Sequence, residues 1–396
     1  MATLDDVLSA RLAELEAGHL RRGLRTLDSA QGPKVSVEGE PLLNFSSNDY
    51  LGLAWHPRLI DAAATALKRS GTGAGASRLI CGNLDLHAAL DQALADWKQT
   101  EAALSFSTGY ATALGVIPSL VGRGDTVIAD KLAHACLIDA ARLSGATLRV
   151  FPHNNTAYLE KVLRRTRERR GGGRHHILIL AESIYSMDGD TAPLEEILRL
   201  KDAFGAWLLV DEAHAAGITG PAGRGRLAER GLADRVDLQM GTLSKALGSA
   251  GGYVAGSRTL VDFLVNRARS FIYSTAPPPG VAAASLAALE LVQDDEGERL
   301  REQLWANVRH FVDRMPEKWR PAHARNEQAP SAIVPVTVGA EERALALAEQ
   351  LRAKDLLVPA IRYPTVPRGQ ARLRVTLSAA HQLEQIDQLA DTLFGS

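Results

Sequence analysis

The chain is poor in cysteine: Cys81 and Cys136 are the only two in 396 residues. They form no Cys-x-x-Cys pair, so a disulfide framework and a zinc site both drop out, and a reducing compartment is the simple reading. Net charge is nearly absent as well, at −1 with histidine neutral. Electrostatics therefore offers no case for nucleic acid or an anionic membrane as partner. Long apolar runs are missing, and none approaches the length needed to span a bilayer. Met1–Leu20 alternates charges with Leu and Ala at helical spacing, without the unbroken apolar core of a signal peptide. The expectation is a cytoplasmic protein that uses no metal. There is no internal repeat and no long linker; Gly171-Gly172-Gly173, the lowest-complexity patch, reads as a turn between a basic helix and a strand. No Gly-Lys dipeptide occurs anywhere. Asp211-Glu212-Ala213-His214 spells a helicase box, but without a phosphate loop that reading fails.

What is present is ordinary for a globular protein: 46% apolar and 23% charged residues. The length suits about two or three packed units. From Glu101 to Gly256, short apolar runs alternate with longer amphipathic segments. Strands are expected at Ala102–Phe106, Thr126–Ala129, Leu148–Phe151, His176–Ala181, Trp207–Val210, Leu238–Gly241 and Gly252–Ala255. Most of these runs are continuously apolar, as strands covered on both faces are. A wound α/β sheet follows, with ligands collecting beyond the carboxyl ends of its strands. After Pro277-Pro278-Pro279 the texture changes to amphipathic helices and two further strand-like pieces, Ala332–Val338 and Arg372–Leu377. The expected division is an N-terminal helical segment (1–45), a large α/β domain (46–281) and a small α+β domain (282–396).

The residues with chemistry follow the apolar runs. Asp211 closes one, with His214 three places on. A carboxylate at the end of a buried strand is costly without a cationic partner. The pyridinium nitrogen of pyridoxal phosphate (PLP) is such a partner, and a neighbouring carboxylate keeps it protonated and a good electron sink. A helix-capping aspartate has the same local sequence. Lys245 lies in Gly241–Gly248, past the next run. A Schiff-base lysine needs partial desolvation, so that its amine is neutral often enough to react. Thr242 and Ser244 beside it supply hydroxyls for a phosphate ester. Alone, Lys245 reads as a surface residue in a glycine-rich turn; its place after Asp211 favours the functional reading. Ser107-Thr108-Gly109-Tyr110 opens a helix after a strand, where free amides can cradle a phosphate, although many strand-to-helix turns look alike. Gly71–Ser77 follows the helix-like Ala62–Arg69 rather than a strand, so it reads as a substrate-facing loop and not a dinucleotide fingerprint. His134 could stack on a flat ring or face water at a helix start. Arg362 could clamp a carboxylate or be simply solvated.

Four stretches in order, Asn44–Leu53, Ser186–Asp190, Val210–His214 and Thr242–Lys245, resemble the α-oxoamine synthases, fold-type I PLP enzymes, over nearly the whole chain. The resemblance implies a mostly parallel seven-stranded sheet flanked by helices, with a smaller α+β C-terminal domain. It implies condensation of an amino acid with an acyl thioester and loss of carbon dioxide. Lys245 resembles the Schiff-base lysine and proton shuttle, Asp211 the pyridinium partner and His134 the ring-stacking histidine. Ser186 and His214 resemble polar contacts to the ring hydroxyl; Thr108, Gly109, Tyr110 and Thr242 resemble the phosphate site. Arg362 resembles the arginine that holds the amino-acid carboxylate, with Asn48 and Thr365 as further substrate contacts. A homodimer is implied, with active sites at the interface and Ser274 or Thr275 reaching the partner's phosphate. Ala360–Pro367, Ala371–His381, Asp188–Leu194 and Phe271–Thr275 look closest to members that join L-alanine to a pimeloyl thioester, on CoA or a carrier protein, for biotin. In those members an arginine at the place of Arg21 meets the acyl chain's terminal carboxylate; a solvated helix face is the alternative for Arg21. Arg78–Gly82 departs, its Ile-Cys-Gly resembling members that take glycine and an acetyl group. An aminotransferase would share Lys245 and Asp211, whereas a dead scaffolding subunit has no use for both.

Overall fold

The computed structural model describes residues 2–168, 175–321 and 331–395, so the expected turn at Gly171–Gly173 lies outside the described residues. Seven strands form the main sheet: β1 (Ala102–Phe106), β2 (Thr126–Asp130), β3 (Thr147–Phe151), β4 (Ile177–Glu182), β5 (Trp207–Asp211), β6 (Leu238–Thr242) and β7 (Gly252–Gly256). Each matches an expected strand to within one residue at either end. Their order is β1-β7-β6-β5-β4-β2-β3. β7 runs antiparallel to both neighbours, and every other pairing is parallel.

Successive side chains of a strand point to opposite faces, and both faces here are packed. Leu178, Leu180 and Leu209 join a core with Val116, Ile117 and Leu137. Ile177, Ile179, Leu208 and Val210 join another with Leu159, Leu163 and Ile197. Covered on both sides, the central strands β4 and β5 read as nearly unbroken apolar runs, while the edge strand β3 keeps Thr147 and Arg149 exposed.

The chain divides into two compact units: Met1–Ser47 with Met187–Gly189 and Leu304–Ser396, and Asn48–Ser186 with Asp190–Gln303. Both boundaries differ from the expected ones at 45/46 and 281/282. The triple proline looks like a domain break, yet Pro279 is the first residue of helix Pro279–Gln293. Proline is well placed there, because the first helical amide needs no partner. That helix packs on Pro57–Ser70, Gly280 lying against Leu67, and so belongs to the larger unit. The segment 1–45 is also more than helical. Helix Leu4–Ala17 is followed by an antiparallel hairpin, Lys34–Val37 with Glu40–Asn44. Its two-residue turn, Glu38-Gly39, has positive φ at both positions, as the tightest hairpins require. Leu356–Leu357 adds to this hairpin in parallel, which ties the first residues of the chain to its last hundred. In the same unit, Ile333–Gly339 and Ala360–Ile361 flank Ala371–Thr376 in an antiparallel sheet.

Candidate active site

The larger unit gathers the polar residues at the carboxyl ends of β4, β5 and β6. Asp211, the last residue of β5, is 5% exposed. It accepts the amide of Ala213 at 2.9 Å. Burial raises its proton affinity above the usual carboxylate range, and the nearby Lys245 works against this. Lys245, half-buried past β6, places Nζ 2.7 Å from Nε2 of His214. Nδ1 of His214 lies 2.6 Å from Oη of Tyr50, and that hydroxyl is 3.3 Å from Oδ1 of Asn48. The directions are self-consistent. A charged Lys245 donates to Nε2, the imidazole donates from Nδ1 to Tyr50, and Tyr50 donates to Asn48. A neutral Lys245 accepts instead, and Tyr50 turns its proton to Nδ1. Either tautomer of His214 is compatible with these contacts, according to whether Lys245 donates or accepts.

His134 caps helix Ala135–Leu143 with its own ring: Nδ1 accepts the amide of Cys136 at 3.3 Å and lies 3.0 Å from its Sγ. Burial lowers the proton affinity of the imidazole, so it is neutral, with its proton on Nε2. The residue nonetheless keeps an exposed surface. Burial pushes the Cys136 thiol up, which makes it an S–H donor rather than a nucleophile.

Thr108 caps helix Gly109–Leu120, its hydroxyl accepting the amide of Ala111 at 2.9 Å. The first-turn amides of this helix have no carbonyl within the helix to reach. A Cβ on Gly252 would come within 2.5 Å of the Gly109 Cα, so glycine is needed where β7 passes this turn. Thr242 also touches the turn; its Oγ1 donates to the Gly251 carbonyl at 2.8 Å and lies 2.8 Å from the Ser244 hydroxyl. Tyr110 points outward, its hydroxyl donating to Asp139. Ser186 is buried just beyond β4, and Thr275 is exposed and bridged to Ser77, with Ser274 beside it.

This donor set fits PLP. Asp211 offers a carboxylate for the ring nitrogen, His134 a neutral flat face, and the Thr108 turn amides for a phosphate. Among the described residues no cluster could hold a metal ion.

Arg21, Arg362 and Thr365 lie together in the smaller unit. Arg362 donates to the carbonyls of His19 and Arg21, and Arg22 donates to the Thr365 hydroxyl at 3.4 Å. The Arg21 guanidinium meets Glu16 at 3.2 Å and is 54% exposed.

Five contributors are new to the structure. Tyr50 extends the lysine–histidine contact, Cys136 orients His134, and Glu182 accepts the His134 amide. Lys98 and Glu212 form a buried ion pair at 2.5 Å, and Glu212 also accepts the Leu227 amide at 2.9 Å, which clamps the turn between Asp211 and His214. Glu182 shares the signal that marked Asp211, an acid closing an apolar run.

A family model for aminotransferase class I and II matches residues 40–393. The 8-amino-7-oxononanoate synthase of Geobacter sulfurreducens is 46% identical over 96% of this chain and 95% of the relative. That of Methylorubrum populi is 48% identical over 99% and 94%. Among solved structures, the serine palmitoyltransferase of Sphingomonas wittichii superposes with a TM-score of 0.89 at 32% identity, covering 99% of this chain and 97% of that one. The enzyme from S. paucimobilis, solved with a bound PLP–myriocin aldimine, gives 0.89 at 30% identity, covering 98% and 96%. From strand order, site chemistry and these likenesses together, the chain belongs to the aminotransferase class I and II family, as a PLP-dependent α-oxoamine synthase of the 8-amino-7-oxononanoate synthase group.

Proposed function

We propose that this enzyme joins L-alanine to a pimeloyl thioester, on CoA or a carrier protein, releasing carbon dioxide and free thiol. The observation that carries the reading is the amine of Lys245 held 2.7 Å from His214 beside the buried Asp211. PLP, when bound, supplies an electron sink for the amino-acid α-carbon. Asp211 keeps the proton on its ring nitrogen, and His134 covers one ring face and excludes water there. Lys245 removes the α-proton of alanine and later returns one, with His214 and Tyr50 adjusting to its charge. The α-carbon then bonds to the thioester carbonyl carbon, the thiolate leaves, and the carboxylate β to the new ketone departs as carbon dioxide. The amides of the Thr108 turn, with Thr242, are the proposed phosphate hold, and Ser186 a contact to the ring hydroxyl.

Thiol release measured for alanine, glycine and serine against acetyl, succinyl and pimeloyl thioesters should be fastest for alanine with pimeloyl. A preference for glycine with acetyl would transfer the assignment to a glycine acetyltransferase, and pyruvate without thiol would indicate transamination.

Arg362, Asn48 and Thr365 are the proposed holds for the amino acid, and Arg21 for the terminal carboxylate of the acyl chain. An Arg21→Ala variant should then raise KM for the pimeloyl thioester about ten-fold, the scale of one charged hydrogen-bonded contact, and leave alanine binding unchanged. Unchanged KM would return Arg21 to its exposed pair with Glu16. The proposed unit is a cytoplasmic homodimer in which Ser274 or Thr275 reaches the partner's phosphate. Supporting this, Ile80 and Tyr273, at either side of the Ser77–Thr275 bridge, are 78% and 71% exposed. Among the described residues no helix is long and apolar enough to cross a membrane.

A further inference from the structure

Glu182 ends β4 as Asp211 ends β5, and the two are register partners on adjacent parallel strands. Glu182 is 2% exposed, and its Oε1 accepts the backbone amide of His134, where the helix of the ring-stacking histidine begins. The Ser183 amide donates to the Asp211 carbonyl at 2.9 Å, which holds the two strand ends together. A charged Glu182 would face like charges on Asp211 and on Asp130 at the end of β2, while Lys245 works the other way.

We propose that Glu182 is a positioning residue: it fixes the start of the His134 helix and leaves Asp211 as the carboxylate presented to the ring nitrogen. Two carboxyl groups that share a buried site do not both ionise cheaply. Burial, and then Asp211, push the Glu182 carboxyl up to about 8, which favours its neutral form near neutral pH. An ionised Glu182 would add a second negative charge behind the ring and raise the proton affinity of every basic group near it, Lys245 included. The neutral acid spares the lysine that effect while still accepting the His134 amide. This role rests on the assignment of Asp211 and His134 to the cofactor ring.

The test uses the PLP-loaded enzyme and its Glu182→Gln and Glu182→Ala variants. Visible absorption and visible circular dichroism of the bound cofactor are titrated from about pH 6 to about pH 9, spanning the ionisation of the acid. Cofactor dissociation constants are measured alongside. Glutamine keeps the acceptor for His134 without a proton to lose. Its spectrum should match wild type at neutral pH and lack the wild-type change near pH 8. Alanine leaves the His134 amide without its acceptor, so cofactor affinity should fall about ten-fold and the visible dichroism should weaken. The inference is overturned if glutamine is as damaged as alanine with far-UV dichroism intact, since charge would then be what matters. It is equally overturned if alanine matches wild type, or if glutamine retains the change near pH 8. Should alanine not fold, the glutamine titration decides alone. A wild-type protein that takes up no PLP would instead overturn the assignment of the ring site, and this inference with it.

Discussion

Lys245→Ala should lose turnover by about a thousand-fold or more while the protein stays folded. The size follows from what the proposed role would remove: the group that bonds the cofactor carbonyl and the base that moves the α-proton, the latter alone worth about two to four orders of magnitude. The fold should survive because Lys245 is only half-buried, and His214 should keep its contact with Tyr50 when the amine is gone. Thiol release with alanine and pimeloyl thioester measures the loss. Wild-type protein should be yellow, and borohydride should fix the cofactor to the peptide carrying Lys245, identified by mass. A colourless but active wild type, or label on another lysine, would overturn the assignment of this site.

Asp211→Asn carries the second-largest expectation. The amide is nearly the same shape and can still accept the Ala213 amide through its oxygen, so the end of β5 should keep its geometry. It has no charge with which to hold a proton on the ring nitrogen, and the electron sink weakens when that proton is lost. A fall in thiol release of about a hundred-fold or more is expected, with PLP still bound and the absorption band displaced. Near-normal turnover would leave Asp211 as a cap for Ala213 and nothing more. The two variants also separate the roles: removing Lys245 abolishes the covalent link to the cofactor, whereas Asp211→Asn preserves the link and impairs what the ring does with electrons.

The parts of this protein that could be read from the residues were those with strong local signals. β4 and β5 announce themselves because both faces are covered, and Asp211 stands out as an acid where only apolar residues belong. The hairpin at 34–44 was hidden because its strands are short and its turn is Glu38-Gly39, without the asparagine or aspartate that usually marks a two-residue turn. The misplaced boundary at 281/282 came from treating Pro277–Pro279 as a stop, when the last of the three begins a helix. Tyr50 was visible as part of a motif, but its contact with His214 spans 164 residues and has no local signature. Cys136 carries no local signal for its role, since its contact with the His134 ring is set by the fold of the helix start. Glu182 carried the same signal as Asp211, yet no neighbouring histidine drew notice to it.

The order of strands in the sheet sets when the active site can exist during folding. β1 is the first strand of the sheet to be synthesised, yet among the described residues its neighbour there is β7, the last. Until β7 arrives, β1 and the Thr108 turn that follows it have no ladder to join. Closing so long a loop is slow, because its entropy is lost before any contact repays it. β2 to β6 pair among themselves and can assemble first, with Asp211 already at its strand end. The Thr108 turn, the proposed phosphate hold, packs against Gly252, so it is expected to be one of the last features to form. Recovery of cofactor binding in a refolding experiment therefore marks completion of the sheet, and should lag behind the burial of its central strands.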